Sequence, residues 1–99
     1  MMNPEIEDKI RLLGRLAVAQ LEALDRIHPE NPAQIRQFEE NSALAVTLIG
    51  DLAAALALDG SDPYAFFCQV TALATAQGSE AGQELALCLP KMAALRGRN

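Results

Sequence analysis

Three times in this chain an asparagine or aspartate stands directly before a proline: Asn3-Pro4, Asn31-Pro32 and Asp62-Pro63. This pairing constrains the fold more than any other feature. The Asx side-chain oxygen can accept from an orphan amide at a helix start, and proline fits the first helical position, where its missing N–H costs nothing. An Ala/Leu-rich run follows each pair, so each marks a helix start. Ala (18) and Leu (15) supply 33 of the 99 residues, and Trp is absent. Such a balance favours helix over strand, which draws on β-branched and aromatic residues.

The expected architecture is all-α, a compact bundle of about four helices in one domain, 1–99. The helices are expected at about 4–27, 32–58, 63–77 and 79–96. Pro29 ends the first by pushing His28 out of the α region. The run Asp59-Gly60-Ser61 ends the second. Gly78 suits the left-handed position after the third. Ser79 is placed to cap the fourth, which should bend or break at Pro90. Residues Gly97–Asn99 are expected to fray. The short link at Pro29–Asn31 makes the first two helices antiparallel neighbours. They also align at an offset of 28, with Leu16/Leu44 and Val18/Val46 among the identical pairs, as two similar amphipathic helices would.

The first helix has two faces. Ile6, Ile10, Leu13, Ala17, Leu24 and Ile27 form an apolar stripe. Opposite lie Glu7, Arg11, Arg15, Glu22 and Arg26, with Glu7–Arg11 and Glu22–Arg26 spaced for pairing, and Val18 stands alone among these charges. The second helix carries a bulky stripe (Ile35, Phe38, Ala45, Ile49, Leu52, Leu56) and a small one of Ala43, Thr47, Gly50 and Ala54. A helix without a polar face is normally covered all round, and a mid-helix glycine costs roughly 1 kcal/mol against alanine. The second helix therefore reads as the central element, with Gly50 under a close crossing or in a dimer interface. In the third helix Phe67, Val70 and Ala74 point to the core, and Tyr64 and Phe66 are read either as further core residues or as partner anchors beside Gln69, Asp59 and Asp62. In the fourth, Leu85, Cys88, Leu89 and Met92 form one stripe and leave Leu87 on the far side.

Charge narrows the function. The net charge is −5, and no Lys or Arg occurs between Arg36 and Lys91, a window that holds Glu39, Glu40, Asp51, Asp59, Asp62, Glu80 and Glu84. The basic residues beyond it, Lys91, Arg96 and Arg98, gather at the C-terminal end. An acidic chain is a poor match to a phosphate backbone, so nucleic acid is not the expected partner. Reading Asp51–Phe67 as a helix-turn-helix would give a reader helix without one Lys or Arg. No Ser-His-Asp order, phosphate loop or Cys/His metal spacing occurs, and the lone His28 sits at a helix end. The expectation is no enzyme, no cofactor and no metal.

Cys68 and Cys88 lack Cys-x-x-Cys spacing and read as reduced, buried thiols. The acidic start is unlike a signal peptide, and the longest nearly uncharged run, Ala43–Leu58, is 16 residues with Asp51 inside it. A bilayer span needs about 20. The cytoplasm is the expected compartment, and the Arg-over-Lys, Ala/Leu-rich composition points to a bacterial or phage source.

The reading is a small acidic module that binds another protein as inhibitor, adaptor or chaperone. It is expected to act as a homodimer built on the second and third helices and to dock an apolar groove with a basic rim. The alternative is a small DNA-binding transcriptional regulator working through the basic C-terminus.

Overall fold

All three Asx-Pro pairs cap a helix. In a computed structural model that describes residues 3–96, Asn3 Oδ1 accepts from the Glu5 amide at 2.8 Å, and Asn31 Oδ1 accepts from Ala33 and Gln34 at 3.1 and 3.2 Å. Asp62 Oδ1 accepts from Tyr64 and Ala65 at 3.1 and 3.3 Å. The helices they open are α1 (Pro4–Leu24), α2 (Pro32–Leu56) and α3 (Pro63–Ala76), with α4 (Glu80–Arg96) completing an all-α bundle. The described residues contain no strand. Gly97–Asn99, where fraying was expected, lie outside the described residues, as do Arg98 and the side chains of Met92 and Arg96.

The ends differ from the sequence reading in instructive ways. α1 stops at Leu24, three residues short of the expected Ile27, because Arg26 and Ile27 both turn their amides onto the Ala23 carbonyl. α2 ends at Leu56, and Ala57 takes a left-handed conformation (φ 55°) that lets the Leu58 amide reach back to the Ala53 carbonyl at 2.9 Å. At the end of α3, Gly78 (φ 75°) takes the left-handed position foreseen for it. The Ser79 amide then bonds Ala74 O at 2.9 Å and the Gly78 amide bonds Thr75 O at 3.0 Å, the two bonds of a Schellman motif. Ser79 does not cap α4 with its side chain, since its hydroxyl is buried without a partner. Pro90 sits within α4, which is not interrupted there.

α1 and α2 run antiparallel. Lys9 near the start of α1 pairs with Asp51 late in α2 at 3.6 Å. Gln20 Nε2 donates to the Phe38 carbonyl at 2.9 Å and to Ser42 Oγ at 2.7 Å. A single core draws on all four helices: Ile10 and Leu13, Leu48 and Leu52, Phe66, Phe67, Val70 and Ala74, Ala81 and Leu85. Phe66 and Phe67 meet edge to face, with centroids 6.3 Å apart at 74°, an arrangement that their ring quadrupoles favour.

The core occupies only one end of the α1–α2 hairpin. No residue from Arg15 through Thr47 is buried, so the half nearer the turn is a two-helix arm on a molecule of 46 × 25 × 23 Å. Leu24 on this arm is 47% exposed, although the apolar stripe of α1 had placed it inside. α2 is also not the central element. It is held mainly by α1 and touches α3 lightly, whereas α4 packs against both α1 and α3. The tight crossings use other glycines than the one expected. A Cβ added at Gly82 would stand 2.7 Å from Ala74 Cβ, and one at Gly14 would stand 3.4 Å from Leu85 Cδ1. One at Gly50 would meet nothing within 4 Å.

Candidate interaction surfaces

The residues picked from sequence as partner anchors do not form one surface. Phe66 is completely buried, because it sits one turn before Val70 on the side of α3 that faces the core. That removes it as an anchor. Tyr64 is half-buried at the start of α3, Gln69 is exposed on its outer side, and Asp59 and Asp62 are exposed in the α2–α3 connection. The outer side of α3 is uncharged and open at Gln69, Ala72 and Ala76. The Asp59 carboxyl is held below its ordinary pKa, chiefly because the Ser61 amide donates to it at 2.9 Å and also through the Ser61 hydroxyl. Its partial desolvation opposes this weakly.

The small stripe of α2 is an outer face. Ala43, Thr47, Gly50 and Ala54 are all exposed, and the Thr47 hydroxyl turns back onto the Ala43 carbonyl at 3.1 Å. Gly50 lies under no helix of its own chain, so the close-packing reading of this residue does not hold within one chain. Beside the stripe, Val46 is 69% exposed and Leu44 is also open. Residues Asn41 through Gly50 carry no charge, whereas Glu39, Glu40 and Asp59 flank the face at its two ends. Asp51, on one edge, is engaged by Lys9.

A second surface, less legible in the sequence, lies between α1 and α4. Here a groove of about 430 Å³ is floored by Ile10, Gly14, Ala81 and Cys88 and walled by Val18 and Leu87. Leu87 is 79% exposed, and Val18, the apolar residue among the charges of α1, lines the opposite wall. The sequence signal was present in both, Val18 as an apolar residue among the charges of α1 and Leu87 as an apolar residue left outside the stripe of α4. What it lacked was the packing of α4 on α1, which brings the two together.

Arg11 on the rim is tied down by Glu7 at 3.3 Å and Asp8 at 3.4 Å, so the first of the two expected pairs of α1 forms. Glu22 and Arg26 make no ion pair among the described residues. Cys88 is buried in the floor, and its thiol contacts the Glu84 carbonyl at 3.5 Å. Burial pushes its pKa up. Lys91 acts in the opposite sense, and Glu84 adds to the rise. Cys68 is only half-buried, so the two thiols differ in environment where the sequence had treated them alike.

Among the described residues no group of His, Cys, Asp and Glu side chains gathers in a metal-binding arrangement. No described helix is long and apolar enough to cross a membrane. No family model, curated protein or solved structure matches the chain.

Proposed function

We propose that this chain is a cytoplasmic, protein-binding module that acts as an inhibitor, adaptor or chaperone of another protein, in a bacterial or phage setting. One observation carries the reading. The outer face of α2 exposes Ala43, Leu44, Val46, Thr47 and Gly50 with no charge among them, and Val46 is 69% exposed. A helix turned to solvent alone normally carries charge on such a face, and large exposed apolar patches mark interaction sites. The carboxylates at its ends give the partner a complementary chemistry, an apolar groove with basic residues on its rim. Apolar contact supplies the affinity of such a complex, and the charged rim sets on-rate and partner choice. Gln69, Asp59 and Asp62 remain exposed candidates on and before α3, outside this face, and buried Phe66 is excluded. The active unit is a pair of identical chains, because a single chain leaves Leu87 79% exposed at the edge of an apolar groove, away from the α2 face.

A photo-crosslinking residue at position 46, introduced in the native host, tests the partner surface. It should capture one protein that a crosslinker at Arg26 does not capture, and Val46→Glu should abolish binding of that protein while the helical signal is kept. Equal capture from both positions, or none, overturns the reading. Purified complex that dissociates steeply with salt and contains nucleic acid would replace it with the DNA-binding alternative.

A further inference from the structure

Leu87 is the most exposed of the large hydrophobic residues on the described surface, and its helix surrounds it with an ordered pattern of charge. Glu80, Glu84, Leu87, Lys91 and Ala94 are spaced four, three, four and three, so they share one face of α4. All five are exposed. Glu84 stands three residues before Leu87 and Lys91 four residues after it, which puts opposite charges about 5 Å to either side along the helix axis. Neither makes an ion pair among the described residues. Beside this face lies the α1–α4 groove, whose buried floor of Ile10, Gly14 and Cys88 leaves room for an apolar side chain from outside.

A face with acid on one side of an apolar centre and base on the other is complementary to itself under a two-fold axis. We infer that two copies of this chain pair through α4, antiparallel, with the axis beside Leu87. Each Glu84 then meets the Lys91 of the other copy, and each Leu87 covers the other at the mouth of the two grooves. A parallel arrangement would set Glu84 against Glu84 and Lys91 against Lys91, so charge selects the direction. The groove adds no net bias, because its α1 wall also carries both signs, Arg15 and Glu22 on either side of Val18. This inference rests on the paired-chain reading above and moves the pairing from α2 and α3, where the sequence had placed it, to α4. It leaves the outer face of α2 free for a different protein. One helix face about 25 Å long and a shallow groove put the interface at the small end of specific contacts, so the dimer is a weak one.

Light scattering of the full chain on the order of 100 µM, where a weak dimer is populated by mass action, reads the outcome. The parent should show twice the 10.6 kDa chain mass. Glu84→Lys and Lys91→Glu should each raise the dissociation constant about tenfold or more, because each sets like charges against each other twice across the axis. The double variant Glu84→Lys/Lys91→Glu should return it to near the parent value. These side chains are exposed, so each variant should keep the helical signal of the parent in circular dichroism. A parent dimer that survives both single substitutions but dissociates in Val46→Glu overturns the α4 interface while the paired-chain reading stands. A parent mass of 10.6 kDa overturns both.

Discussion

Gly82 in α4 lies against Ala74 in α3 so closely that an added Cβ would stand 2.7 Å from Ala74 Cβ and 2.9 Å from the Thr75 backbone nitrogen. Backbone cannot swing aside as a flexible side chain can, so the two helices would have to separate. Gly82→Ala should therefore destabilise the protein by about 1–3 kcal/mol despite alanine's better helix propensity. Thermal unfolding by circular dichroism checks this, with an expected drop of several degrees for each kcal/mol in a domain of this size. A variant that melts with the parent would show that the crossing has slack.

Gly50 should behave in the opposite way. Nothing lies within 4 Å of the Cβ that Gly50→Ala would add, so only the propensity gain remains, and stability should rise by about 0.5–1 kcal/mol. Denaturant titration would show this as a higher midpoint at unchanged slope. A loss of stability would mean that another surface covers Gly50, and the α2 face would then be buried in the assembled protein.

These two glycines show where sequence reasoning stopped. The caps at Asn3, Asn31 and Asp62 were legible because a cap is local chemistry, completed within three residues. The stop at Gly78 was legible for the same reason. Which helix covers which face is a long-range fact. Gly50 and Gly82 both interrupt Ala/Leu-rich helices, and only the packing of α4 on α3 distinguishes them. The stripe on α2 made that helix look enclosed, whereas α4 took the central place. Phe66 and Phe67 are adjacent and face almost at right angles around α3, so the sequence could assign one to the core but not exclude the other. Val18 stood out among the charges of α1 and Leu87 lay outside the stripe of α4, yet their meeting across a groove depends on the α1–α4 contact.

Ala57 holds a left-handed conformation without being glycine, at φ 55°. The Cβ–carbonyl crowding there costs about 1–2 kcal/mol, partly offset by the smaller unfolded-state entropy of alanine. Because Ala57 is exposed, Ala57→Gly removes little contact and should stabilise the end of α2 by about 0.5–1 kcal/mol. An unchanged or lower melting temperature would show that the strain is relieved elsewhere.

The two perturbed acids set opposite pH trends. Asp59 has a lowered folded-state pKa, so its contribution is present above the ordinary carboxylate value and disappears as pH falls through the folded value. Carboxyl NMR should place its midpoint below that of an unstructured aspartate, and Ser61→Ala should move it back only partly, because the amide bond remains. Cys88 has a raised pKa, so its contribution is full below the ordinary thiol value and declines as pH rises past it. A thiol reagent at pH 8 should label half-buried Cys68 before buried Cys88, and denaturation should remove the difference. Equal rates in the native protein would show that the groove floor opens readily.

The burial of Phe66 separates the core of α3 from its working surface. Phe66 has no exposed area and belongs to the common core, where it meets Phe67 edge to face, so Phe66→Ala should leave a cavity and cost about 3–5 kcal/mol. A domain of 99 residues holds only about 5–15 kcal/mol in total, so this substitution should remove a large share of its stability and lower the melting temperature by many degrees. Tyr64, half-buried two residues after the Asp62 cap, should cost clearly less when replaced by alanine. Gln69→Glu, on the exposed outer side of α3, should leave the melting temperature unchanged within about 0.5 kcal/mol. Melting curves for the three variants, measured beside partner capture through position 46, would separate the two roles. A Phe66→Ala protein that melts with the parent yet loses its partner would return Phe66 to the surface and overturn the packing of α3.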